Sequence, residues 1–183
     1  MTRTTYLTFA LLIFSFTSQA QYAPKTLKVD INNNAIVDLF KPINKSLEMT
    51  IDNIKYAISF EKLGFEWLSD LSFTNNVLTI GGYMEGTGGY TYTYKFRNNK
   101  TTNKIELIGY DTFYKWPTGN INKSFNAITG QYEVIVEQYN ENTEEMETTK
   151  HEGKFELKKI VLTTIKNSEL DQLNTIGKQY EPE

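Results

Sequence analysis

The sequence predicts a mainly β fold: antiparallel hairpins assembled into a sandwich or a strongly bent sheet, with one short helix near the C-terminus. Three observations carry this. In residues 90–97, Tyr90, Tyr92, Tyr94 and Phe96 alternate with Thr91, Thr93, Lys95 and Arg97, so rings share one face of a strand and polar side chains the other. Residues 47–51 and 54–60 alternate likewise around Asp52-Asn53, a two-residue polar turn of the kind that closes hairpins. Turn-forming clusters then punctuate the chain at Asn75-Asn76, residues 98–103, Pro117-Thr-Gly119 and Thr129-Gly130.

The 183 residues make one domain's length, and 39% of them are apolar, enough for a core. Residues 1–20 read as a secretory signal peptide: Arg3 precedes a short apolar run, residues 7–16, and Ser18 and Ala20 are the small residues a signal peptidase site requires. The run is too short to cross a bilayer core, which takes ~20 residues in a helix. A single β-rich domain over residues 21–183 is therefore expected in the periplasm or outside the cell, with no membrane span in the mature chain. There is no cysteine, so no N-terminal lipid anchor and no disulfide is expected, and stability must come from packing. Losing Arg3 leaves 18 basic against 22 acidic residues, a mature charge near −4. No clustered basic face is visible along the chain, which argues against nucleic acid or an anionic membrane surface as partner.

In chain order, residues 26–29 form a first strand leading into the loop Asp30-Ile-Asn32-Asn-Asn34-Ala35-Ile-Val-Asp38. Its oxygen-bearing side chains at positions 1, 3, 5 and 9 follow calcium-loop spacing. The nine residues resemble the D-x-N-x-D-G-x-x-D loop of FG-GAP-like and dockerin-like repeats, which implies Asp30, Asn32, Asn34 and Asp38 as ligands. They depart from it where Ala35 replaces the turn glycine and Asn34 a charged ligand, and Lys41 stands where an EF-hand places its glutamate. The plainer reading is an Asn-rich turn held by side-chain-to-backbone bonds. Pro42 should end the next strand early or place it at a sheet edge. The hairpin over residues 47–60 should turn Leu47, Met49, Ile51, Ile54, Tyr56, Ile58 and Phe60 inward. Residues 61–70 suit either a strand or a helical turn.

Residues 77–80 read as a strand entering the glycine-rich loop 81–89, which lacks the Lys-Ser or Lys-Thr and following helix of a phosphate cradle. It is a hairpin loop whose contacts with a ligand, if it has one, would be Tyr83, Met84 and Tyr90. The aromatic hairpin follows, then residues 111–116 with aromatics on both faces, and a turn and strand over 124–139. Residues 140–152 are acidic and read as a solvated hairpin end. Residues 154–165 alternate as a strand. Ser168 should cap a helix over residues 168–176 with Leu170, Leu173 and Ile176 on one face and Gly177 at its end, and residues 180–183 form a frayed tail.

The chemical inventory is narrow. There is no cysteine nucleophile, no Gly-x-Ser-x-Gly elbow, and one histidine, His151, read as an exposed loop residue. A carboxylate-dependent hydrolase of envelope glycans needs only two acids across a cleft, and Glu66, Glu85, Glu106 and Asp111 have suitable aromatic or apolar neighbours. An outward carboxylate on an alternating strand is more simply its wet face. The ring ladder at 90–96 reads as core, which leaves Tyr110, Tyr114 and Trp116 as an aromatic surface for a protein or glycan partner.

Tyr94-Lys-Phe-Arg97, Leu107-Ile-Gly-Tyr-Asp111 and Ser124-Phe-Asn-Ala-Ile-Thr-Gly130, preceded by the degenerate loop and a leader, resemble small secreted or periplasmic proteins of Gram-negative bacteria. The resemblance spans roughly residues 30–155. It implies export and a β fold, and transfers no activity, cofactor or site residue. The expectation is an exported non-catalytic binding protein, an inhibitor or immunity-type protein among its forms. A glycan hydrolase and a calcium-stabilised structural module are the alternatives.

Overall fold

Paired residues with left-handed backbone set the hairpins. Asp52-Asn53 (φ 52° and 65°) and Asn75-Asn76 (φ 53° and 60°) close tight two-residue turns, the conformation Asn and Asp tolerate best among residues bearing a Cβ. Asn44-Lys45 does the same at φ 43° and 60°, although a lysine gives no turn signal in the sequence. A computed structural model describes residues 25–86 and 89–181. The predicted signal peptide, two residues of the glycine-rich loop and the last two of the tail lie outside the described residues.

Among the described residues there are two antiparallel sheets. The smaller runs in chain order: β1 (Leu27–Val29), β2 (Asp38–Ile43), β3 (Ser46–Ile51) and β4 (Ile54–Ser59). The larger is a seven-stranded meander of β5 (Trp67–Thr74), β6 (Val77–Met84), β7 (Tyr90–Asn99), β8 (Lys104–Trp116), β9 (Gly119–Asn126), β10 (Gln131–Asn140) and β11 (Glu145–Lys154). Pro42 sits inside β2, yet costs no ladder bond there. It pairs with Leu47 of β3, while β1 ends opposite Asp38–Phe40 and leaves the proline's other side unpaired.

Directly paired residues of the meander share a face, and one face is the core. Ile80, Tyr94, Tyr110 and Phe125 form one row across β6 to β9, and Leu78, Phe96 and Leu107 another; all are buried. Phe40, Leu47, Met49, Ile51 and Ile58 of the smaller sheet join the same cluster, as do Leu63 and Phe65 of the connection to β5. The arrangement is sandwich-like. Gly82 shows how tight it is, since a Cβ there would lie 2.2 Å from the Phe65 ring. Gly81 and Gly82 are paired with both β5 and β7, so they belong to β6 rather than to a flexible loop.

The C-terminal segment completes the cover. Residues 155–160, expected to belong to a strand over 154–165, lie outside the ladders, with Phe155 and Leu157 packed on the core. The Leu107 N–H donates to Ile160 O (2.9 Å), and Glu106 bridges to Val161, so this segment takes β8's edge where β9 has turned away. A helix, α1 (Asn167–Thr175), then buries Leu170 and Leu173. Its cap is Lys166, whose N–H donates to Glu169 Oε2 (2.8 Å), rather than Ser168. Gly177 follows in the left-handed conformation (φ 65°), where a Cβ would meet Val134 at 2.5 Å.

Four further expectations change. The acidic stretch forms β11, because a polar strand is favourable at a sheet edge where charge discourages further pairing. His151 lies on that strand, and Tyr180, expected in a frayed tail, stacks on it at 3.8 Å. Ile54 is 56% exposed although its partner Ile51 is buried, because β4 is the outer strand of the smaller sheet.

Candidate functional site

The ladder that opens β7 divides into two parts. Phe96 and Tyr94 are 0% and 2% exposed, and Tyr94 Oη donates to Leu63 O (2.8 Å). Tyr92 and Tyr90, on the same face and nearer the sheet's end, are half-buried. Register puts Met84, Tyr90, Tyr114 and Ile121 side by side on β6 to β9. Tyr90 stacks on Tyr114 with ring centroids 4.2 Å apart and on Tyr92 at 5.9 Å, and Tyr114 meets Trp116 at 5.6 Å. Trp116 Nε1 donates to Gln138 Oε1 (3.1 Å), which fixes the indole at the edge of the cluster. Met84, 37% exposed, brings its sulfur to 4.0 Å from Tyr92 Oη. The result is a contiguous set of rings that neither the smaller sheet nor α1 covers completely.

A cleft of about 230 Å³ separates these rings from the C-terminal segment. Tyr90 and Tyr92 form one wall, Asn174, Ile176, Lys178 and Glu181 the other. Lys123 anchors the tail by donating to Ile176 O (3.3 Å) and to the Glu181 carboxylate. Burial first, then the Glu181 charge, pushes the Tyr90 phenol up to about 12, and the same causes raise Tyr92. Both remain neutral hydrogen-bonding groups at ordinary pH.

The predicted contacts are partly brought together. Met84, Tyr90, Tyr114 and Trp116 belong to the cluster. Tyr110 lies beneath it, 4% exposed with its hydroxyl donating to Asn174 Oδ1 (2.7 Å), so it supports the surface instead of forming it. Tyr83 pairs with Trp67 on the opposite face, where Lys45 Nζ lies 5.2 Å from the indole centroid. The cleft's second wall comes from residues about 80 positions away, which no local pattern could have announced.

The Asp30–Asp38 loop is closed by hydrogen bonds. The Asp30 carboxylate accepts from Asn34 N (3.0 Å) and Ala35 N (2.8 Å), and Asp38, fully buried, from Ile31 N and Asp52 N (3.0 Å each). Asn32 Nδ2 donates to both oxygens of Asp52 at 3.0 Å, and Asn34 Nδ2 to one of them. The loop's carboxylates thus all accept N–H groups, with Asp52 an added acceptor from the β3–β4 turn. Among the described residues no group of three or more Asp, Glu, His or Cys side chains is placed to hold a metal.

The four candidate acids occupy three settings, Glu66 and Glu85 sharing the adjoining ends of β5 and β6. Glu66 and Glu85 are exposed near the start of β5 and the end of β6. Asp111 sits on the outer face, bonded to Lys95 Nζ and Ser124 Oγ at 2.6 Å each. Glu106 accepts from Asn99 (2.8 Å), Thr102 (3.0 Å) and Lys159 (3.2 Å). Burial alone would raise its carboxyl, but these partners together outweigh burial and hold it below the usual range. A carboxylate held ionised in this way is a poor proton donor, whereas glycoside cleavage needs an acid raised toward neutrality.

Comparison of the chain with protein-family models, curated proteins and solved structures returned no match. The site is therefore read from its own chemistry.

Proposed function

We propose that this chain is an exported, non-catalytic binding protein of the periplasm or cell surface, engaging a protein or glycan through the ring cluster of Met84, Tyr90, Tyr92, Tyr114 and Trp116. The stacked, partly uncovered run Tyr92–Tyr90–Tyr114–Trp116 carries the reading. Tyrosine and tryptophan offer large rigid contact areas at low entropic cost and dominate binding hot spots, and flat rings also receive sugar faces. The resemblance to small secreted proteins and the leader-like N-terminus support the location.

The test replaces Trp116 with the photo-crosslinking residue p-benzoylphenylalanine in the producing cell, with the same replacement at Phe113, on the opposite face of β8, as control. A protein partner gives one adduct of defined mass from position 116 and none from 113. For a glycan partner, chitohexaose added to a Trp67→Phe variant shifts the emission of Trp116, the one remaining tryptophan. No adduct and no shift, or equal labelling at both positions, removes the proposal.

A further inference from the structure

The opposite end of β7 and β8 carries a different chemistry. Arg97 and Lys100 border two clefts, of about 390 and 360 Å³. Lys158 and Lys159, from the extended C-terminal segment, line the larger one. Its single carboxylate, Glu106, is already engaged by Lys159, Asn99 and Thr102. Arg97, Lys100 and Lys158 make no ion pair among the described residues. Since Glu106 and Lys159 cancel, three cations without acid partners surround one opening, in a chain whose net charge is −3. Sequence order hides this grouping, because about 60 residues separate Lys158 from Arg97. Like charges around a low-dielectric cleft focus a field that attracts anions.

The smaller cleft adds side-chain amides. Asn33, Asn75 and Asn76 line it together with Arg97, Asn98 and Lys100. Each amide offers two donors and an acceptor, a match for hydroxyl groups. Asn98, which lines both clefts, has a buried side-chain oxygen that receives no hydrogen bond among the described residues. No aromatic ring lines either cleft, so the stacking that holds single-stranded nucleic acid has no platform here. Arginine's planar fork suits carboxylate and phosphate alike.

We propose that this corner binds an acidic saccharide, a sugar bearing carboxylate or phosphate groups: Arg97, Lys100 and Lys158 receive the anionic groups, and Asn33, Asn75 and Asn76 the hydroxyls. The test is calorimetric titration of the mature chain with tetragalacturonate, mannose 6-phosphate, neutral cellotetraose and tetraglutamate. One or both acidic sugars bind, more weakly as salt rises, and which one binds tells carboxylate from phosphate. Cellotetraose and tetraglutamate bind at least about tenfold more weakly, and Arg97→Gln and Lys158→Gln each weaken the acidic sugar about tenfold. Lys55→Gln, the same charge change on exposed β4, leaves binding intact. Trp116→Ala also leaves it intact, so this corner and the aromatic end stand or fall separately. Failure of both acidic sugars, equal binding of tetraglutamate, or indifference to Arg97→Gln and Lys158→Gln overturns the proposal.

Discussion

Strands β7 and β8 run the length of the larger sheet, and their two ends are finished in opposite ways. At the Tyr90 end, rings stack on one another and remain half-buried. At the Asn98 end, amides, hydroxyls and carboxylates bond to each other: Asn99 and Thr102 to Glu106, Asn98 to Asn103 and to Asn32 O. Both ends belong to strands with the same alternation, so alternation cannot be what separates them. The difference lies in what crosses over them. Residues 160 and 161 lie against β8 at Leu107 and Glu106, while the tail beyond α1 faces the rings across the cleft through Ile176, Lys178 and Glu181. Periodicity assigns a side chain to a face; distant segments decide whether that face is dry.

The polar finish is the one to break first. Asp38→Ala leaves the Ile31 and Asp52 N–H groups without their acceptor and is expected to cost about 3 kcal/mol. That is a drop of roughly 6–12 °C in thermal midpoint. A drop below about 2 °C would show that this end holds without the loop. On the apolar side, Gly82→Ala drives a methyl into the Phe65 ring and is expected to cost about 1–3 kcal/mol by overpacking. Denaturant titration reads this, and an unchanged midpoint would mean that Phe65 has room to move.

Alkali separates the ends by chemistry. Tyr90, Tyr92, Tyr94 and Tyr110 hold their phenols above the ordinary value, chiefly through burial. In the unfolded chain these protons leave near pH 10, whereas the folded chain retains them. The unfolded state then binds fewer protons, so the stabilisation is fully present below about pH 10 and is lost as pH rises toward and past the folded values. Phenolate absorbance should appear in two stages, exposed tyrosines first and this row together with unfolding. A single stage near pH 10 would contradict the burial of the row. The smallest effects concern the surfaces. Tyr114→Ala should change stability by only about 1 kcal/mol while abolishing partner binding. Melting with calcium and with a chelator should give the same midpoint, because the loop's carboxylates already accept N–H groups; a rise with calcium would make Asp30, Asn32, Asn34 and Asp38 ligands after all.

Much of the fold was legible where the signal is local. The Asp52-Asn53 and Asn75-Asn76 turns, the rings of β7 and the helix with Leu170, Leu173 and Ile176 on one face all follow from spacing and turn chemistry. The misreadings have a common cause. β11 has no apolar side chain except Met146, because an edge strand contributes backbone pairing and not core, so its composition reads as a loop. Gly81 and Gly82 read as flexible, yet both pair with β5 and β7, and Phe65 packs against Gly82. Of the candidate site, Met84 and Tyr90 came from the borders of the glycine-rich loop, and Tyr114 and Trp116 from the pattern of rings. Tyr110 reads the same in the sequence and is buried, because α1 covers it. The basic corner was invisible, since Arg97, Lys100 and Lys158 meet only through the path of the C-terminal segment.

That path also bears on the order of events in folding. The meander joins each strand to its sequence neighbour, so its hairpins close short loops and can form without waiting for the rest of the chain. The C-terminal segment closes far longer loops: Lys62 reaches Ile165 O across 103 residues, and Lys123 reaches Glu181 across 58. Its docking is expected to be the slow step, with the Tyr110 and Phe125 face of the sheet wet until it occurs. A refolding experiment should therefore show β-sheet signal before tyrosine burial, with α1 acting as the latch that ends the reaction.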